Sequence, residues 1–306
     1  MSHPRSLVAA AFLFAAAPAA SLACACGCGV FAVGNSTLIP SGSGLAAWID
    51  LDHLDQTENW RGGRRAPGSG NSDKRILTDF ATLGAQLMNA KGWGVMVEIP
   101  VLNRSFTTTG DDGALQRFHH TSLGDIRIMG VYSGFTADMA TGIAFGLKLP
   151  TGGFRNSGFD RDVQPGSGTT DVILGGYHRG DFGLTSRWSW FAQGQWDHPL
   201  NSRSGYRPGG ELDASAGLAW SATPATAKLG VTPMLQLIAS VRARDSGAAA
   251  DPENSGYERL LIAPGVELKD GRWKLYGDVE LPVRQRVNGR QLVAPVLFKL
   301  SLSHRF

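Results

Sequence analysis

From residue 44 onward, apolar and polar side chains alternate one for one in a series of short segments. The clearest covers residues 92–102, where Trp93, Val95, Val97, Ile99 and Val101 oppose Gly94, Met96, Glu98 and Pro100. A period of two sends successive side chains to opposite faces of a β-strand, so each segment predicts a strand with one oily and one polar face. The pattern predicts strands at residues 44–54, 73–88, 92–102, 122–133, 140–149, 169–178, 184–197, 211–220, 228–242, 257–268, 273–283 and 291–306. Each is about as long as a tilted strand must be to cross a bilayer. Asp79 interrupts the apolar parity of the second segment: either it sits at an outer rim, or a bulge resets the register there.

The connections fall into two classes that alternate. Short ones, at residues 89–92, 134–139, 179–183, 221–227 and 269–272, are rich in Gly, Asp, Pro and Asn, the residues of tight turns. Long polar ones, such as 55–72, 103–121 and 150–168, join the opposite ends; only the last, near Val287, Asn288 and Gly289, is short. A transmembrane barrel with turns on one side and loops on the other predicts this alternation, and a soluble sandwich does not. Trp93, Tyr132, Trp188, Trp220, Trp273 and Phe306 share the short-turn end and the apolar parity, as an interfacial girdle would. The closing segment carries Phe298, Leu300, Leu302, His304 and Phe306 on one parity and ends on the aromatic. It resembles the closing strand of bacterial outer-membrane barrels, in which a terminal Phe is the assembly signal.

Composition narrows the class further. Arg5 followed by the apolar stretch 7–17 predicts a cleaved signal peptide over residues 1–23, too short for a membrane span. Residues 24–43 then form a Cys-containing periplasmic segment and 44–306 the barrel. No other apolar run reaches the ~20 residues of a transmembrane helix. An exported membrane protein without such helices must close its strands into a ring, because lipid offers no partner to free backbone groups. Charged residues make up 18% of the chain, and a net charge of +3 is too small to point to nucleic acid. The prediction is an all-β fold: one up-and-down antiparallel transmembrane β-barrel of about twelve strands, in the outer membrane of a Gram-negative bacterium. Its partners are outer-membrane lipid, the barrel-assembly machinery that meets the strand ending at Phe306, and a small-molecule solute.

The polar parity supplies the candidate lumen lining: Asp50, Glu98, Asp125, Arg127, Lys148, Asp171, Arg187, Gln193, Asp213, Lys228, Arg259, Lys274, Asp278 and Glu280, with Gln195, Arg242, Glu267, Arg284 and Lys299 on the same face. Both signs are present, so the interior is either a salt-bridge network that plugs the barrel or a narrow polar path. Residues 160–162 (Asp-Arg-Asp) are read as a polar surface loop, with a loop cation site as the alternative. His198 has no nucleophile placed to pair with it, and His119 and His120 fall in a loop, so enzyme activity is not expected.

Several stretches, G-L-K-L-P-T-G at 146–152, G-S-G-T-T-D-V-I-L-G-G-Y at 166–177, Y-R-P-G-G-E-L at 206–212, G-Y-E-R-L-L-I-A-P-G-V-E-L at 256–268 and V-E-L-P-V-R-Q-R-V-N-G-R-Q-L at 279–292, carry a family likeness. From Leu123 to Phe306 the chain resembles the outer-membrane transporters grouped as the phenol-degradation meta-pathway family. The resemblance implies a transporter-like barrel for small hydrophobic or aromatic compounds. Cys24, Cys26 and Cys28 depart from that pattern. Their alternate spacing is too tight for an ordinary disulfide framework and differs from that of a zinc finger. Two uses stand beside lipidation of Cys24: closely spaced thiolates that chelate a soft metal such as Cu(I) or Zn(II), or a redox-labile tail without a ligand. The leading function is passage of a small solute; the alternatives are a barrel-anchored periplasmic soft-metal binder and a structural barrel without transport.

Overall fold

The computed structural model describes residues 39–40, 42–183, 187–224 and 226–306. The expected signal peptide and Cys24, Cys26 and Cys28 lie outside the described residues. Fifteen strands follow one another: β1 (Gly44–Gln56), β2 (Glu58–Gly62), β3 (Arg64–Arg65), β4 (Asp73–Met88), β5 (Trp93–Thr109), β6 (Leu115–Leu123), β7 (Ile126–Tyr132), β8 (Thr141–Leu149), β9 (Asp171–Asp181), β10 (Trp188–Pro199), β11 (Glu211–Trp220), β12 (Leu229–Arg242), β13 (Tyr257–Asp270), β14 (Trp273–Val293) and β15 (Leu297–Arg305). Among the described residues no helix is long and apolar enough to cross a membrane.

Twelve of the strands form one closed ring, in the order β1, β4, β5, β7, β8, β9, β10, β11, β12, β13, β14, β15 and back to β1. Every neighbouring pair is antiparallel, including the seam that sets Ala46 opposite Arg305 and Leu54 opposite Leu297. Closure matters because each backbone N–H or C=O left unpaired in hydrocarbon costs several kcal/mol. The outward face is oily all the way round: Leu51, Leu83, Val95, Ile143, Leu174, Leu218, Leu237, Leu275 and Leu300 are all exposed there. In water such a surface would lose roughly 25 cal/mol per Å² relative to burial, so its physical solvent is lipid.

Local chemistry fixes the short turns. Asn89 accepts hydrogen bonds through Oδ1 from the backbone N–H groups of Lys91 (2.8 Å) and Trp93 (3.1 Å), an Asx-type turn. Gly92 follows with φ +81°, where an added Cβ would lie 2.4 Å from the Gly134 nitrogen, so only glycine fits. At this end Trp93 lies 4.5 Å from Tyr132, Trp188 is 6.3 Å from Trp220, and Trp273, His304 and Phe306 form a chain of ring contacts. Apart from His304, these are the aromatics that the pattern placed in a girdle.

The structure corrects the sequence reading of two stretches of strand and decides between the two readings of Asp79. Residues 103–121 are not a loop: β5 and β6 extend as a hairpin closed by a tight turn at 110–114, so His119 and His120 lie on a strand. A shift of register between Leu260 and Leu261 leaves Val283 unpaired on β14, where Arg284 faces Leu260 and Pro282 faces Leu261. This bulge reverses the parity, so Arg284 is exposed while Gln285 and Val287 turn inward. Asp79, by contrast, involves no bulge. It faces outward toward the loop end of β4 and pairs with the His53 Nδ1 of β1 at 2.7 Å. A paired carboxylate near that interface is far cheaper than one at the midplane.

Candidate functional site: the barrel lumen

The inward parity of the strands builds the lumen wall. Across β5, β7, β8 and β9 the register sets Glu98 opposite Arg127, Arg127 opposite Lys148, and Lys148 opposite Asp171. Lys148 Nζ reaches Asp171 at 2.5 Å, and Arg127 reaches across to Asp197 on β10 at 3.0 Å. Charges removed from water this far are costly unless paired, and although Arg127 and Lys148 are neighbours of like sign, each has a carboxylate partner of its own. Next to them Ser240 donates to Asp213 at 2.5 Å, and Tyr257 donates to Glu211.

A second group sits at the seam. Lys299 on β15 stands directly opposite both Asp52 of β1 and Asp278 of β14. Tyr276 donates its hydroxyl to Asp278 at 2.5 Å, and Gln236 adds a contact at 3.3 Å. Glu280 is fully buried beside this group, and neither of its carboxylate oxygens has a hydrogen-bond partner among the described residues.

Two chain segments enter the lumen between these walls. At the short-turn end Ile39 packs against Phe191, Ala219, Met234 and Tyr276, with Pro40 facing the cavity. At the loop end residues 159–168 fold inward, while Arg155, Ser157 and Gly158 stay at the surface. Asp125, at the break between β6 and β7, is the clasp: its carboxylate accepts from the N–H of Gly152 (2.9 Å), the N–H of Ser167 (2.8 Å) and the Ser167 hydroxyl (2.5 Å). Arg104 donates to the carbonyl of Val163 at 2.6 Å while holding Thr78 Oγ1 at 2.8 Å. Val163 and Phe159 insert into an apolar nest of Ile76, Phe106 and Leu292. The Asp160–Arg161–Asp162 stretch, read from sequence as a polar surface loop, therefore belongs to the interior. Burial, reinforced by the carboxylates of Asp160, Asp245 and Asp73, holds the Asp162 carboxyl well above the usual carboxylate range.

The space enclosed by these elements is a cavity of about 340 Å³. Asp50, Glu98, Asp125, Arg127, Lys148, Asp171 and Gln193 line it. Asp213, Arg259, Asp278 and Glu280 lie buried on the same inner face. Lys274 also turns inward, bonded to Glu267 at 3.2 Å. Arg187 and Lys228 do not join them: both lie just beyond strand ends at the short turns and are exposed. Sequence reasoning missed Arg161 and Tyr206, whose loops carry no strand periodicity to orient them.

No family model matches the chain, and no curated protein does. Solved structures do. The chain is similar to a COG4313 outer membrane channel from Pseudomonas putida F1, with a TM-score of 0.68 at 13% identity over 90% of this chain and 100% of that one. It is also similar to the beta domain of the Bordetella autotransporter BrkA, with a TM-score of 0.54 at 12% identity over 86% and 100% of the two chains. At these identities the likeness is one of fold: that of outer-membrane barrels.

Proposed function

We propose that this chain is an outer-membrane channel that passes a small solute through its lumen in a Gram-negative bacterium. One observation carries the reading: a closed barrel with a lipid-type exterior encloses a cavity lined by ionisable side chains, with an inward-folded loop at one end. An inert anchor has no need of an internal space whose walls keep so many charges from water, each at a desolvation cost. The likeness to an outer membrane channel supports the same reading. The motifs at 146–152, 166–177, 206–212, 256–268 and 279–292 favour an aromatic or otherwise apolar solute through their resemblance to the meta-pathway family. The exposed Phe306 is the contact offered to the assembly machinery.

Reconstituted in planar bilayers, the protein is expected to add discrete conductance steps, and removal of residues 152–166 to enlarge them. A barrel that conducts nothing in either form, and that adds no solute uptake to porin-deficient cells, would overturn the proposal.

A further inference from the structure

Three arginines converge on one ring at the loop end of the lumen. The guanidinium carbons of Arg155, Arg161 and Arg203 lie 5.1, 5.1 and 5.9 Å from the centroid of Phe154. Arg155 and Arg203 are exposed, whereas Arg161 reaches inward to the cavity wall. There it also covers the ring of buried Tyr206 at 4.3 Å. Guanidinium groups gather this way on aromatic faces because the ring quadrupole offsets their mutual repulsion.

Arg161 is held but not satisfied. One terminal nitrogen donates to the Ser167 carbonyl. Its Nε and its other terminal nitrogen are buried and have no hydrogen-bond partner among the described residues. Leaving buried donors of a cation unmade is expensive, so a group that supplies acceptors here is bound with that much advantage. The nearby carboxylates are otherwise engaged. Asp125 clasps Gly152 and Ser167, and Asp245 accepts from Tyr206, Gly209 and Arg242. Burial keeps Asp162 toward its neutral form, which removes its repulsion for an incoming anion. Gly168 makes the room: at φ +70°, an added Cβ would stand 3.0 Å from Phe154 and 3.1 Å from the Arg161 guanidinium.

We infer that Arg161, between Phe154 and Tyr206, is a recognition site for the carboxylate of a small aromatic acid entering the lumen. The exposed Arg155 and Arg203 draw the anion in, the free Arg161 donors hold its carboxylate, and the two rings and the cavity accept its apolar body. The inference rests on the channel reading for its purpose but not for its test.

The test is calorimetric titration of the detergent-solubilised protein with benzoate, with benzyl alcohol and acetate as probes that each keep only half of the chemistry. Benzoate is expected to bind roughly tenfold more tightly than either, since a charge-assisted contact and a ring contact are both at stake. Arg161→Gln should abolish that preference while leaving benzyl alcohol unchanged, and Arg161→Lys should retain part of it. Equal affinity for benzoate and benzyl alcohol in the native protein, or an unchanged benzoate affinity in Arg161→Gln, overturns the inference. Conductance of the same preparations separates the two proposals. A silent barrel that prefers benzoate keeps the site and loses the channel; a conducting barrel indifferent to benzoate keeps the channel and loses the site.

Discussion

A single residue without a side chain lets β1 and β4 pack around a buried tryptophan. Gly84 faces Trp48 across β1 and β4, and an added Cβ would stand 1.9 Å from the Trp48 ring. Trp48 is itself 5% exposed, so it has nowhere to go. Gly84→Ala is therefore expected to destabilise the barrel by about 1–3 kcal/mol, the usual result of overpacking. The measurement is the temperature at which the folded form loses its electrophoretic mobility; an unchanged value counts against the packing described. Residue-scale features were also the least legible in sequence. Alternation alone put Arg284 in the lumen, because nothing in its neighbours' hydropathy marks the unpaired Val283. The Asp79 puzzle had the same origin: His53, its partner, is distant along the chain and adjacent only after β1 and β4 pair. Arg161 was invisible as a site because its orientation comes from the Asp125 clasp and the Arg104 anchor.

At the scale of the element, strands within the lipid zone were legible and those beyond it were not. Hydrocarbon on one side and polar groups on the other impose alternation on β1, β4 and β11, whose limits the pattern matched closely. Past residue 103, β5 and β6 rise clear of that boundary. The outer face then carries polar Asn103, Ser105 and Thr107, while the inner face mixes buried Arg104 with apolar Phe106, so no regular contrast is left to read. The 152–168 loop is expected to dock in a pH-dependent way. The Asp162 carboxyl titrates well above its ordinary range when the loop is docked and close to about 3.9 when it is released. The docked form thus binds the proton more tightly. Docking is favoured in acid and weakens as pH rises through the interval between those values, by about 1.4 kcal/mol per pH unit at most. Burial is the main cause of the shift, the carboxylates of Asp160, Asp245 and Asp73 add to it, and Arg161 stands beside them. Conductance should consequently be smallest in acid and grow toward neutral pH. Asp162→Asn should flatten that profile; superimposable profiles for the two proteins would refute the loop's involvement.

For the whole molecule, the prediction concerns solvent. The outward side chains form one continuous apolar belt, bordered at the short-turn end by Trp93, Trp188, Trp220 and Trp273. The folded chain is expected to stay monodisperse only in detergent or lipid. Recovery of a compact monomer from detergent-free buffer, by gel filtration with light scattering, would contradict the membrane assignment.

The seam between β15 and β1 constrains how such a protein can change over generations. Because those two strands run in opposite directions, deleting any one strand would leave a parallel join, and would move one chain terminus to the far side of the membrane. Inheritable change in circumference must then come in hairpins. The two-strand unit, not the strand, is what this architecture can duplicate or discard.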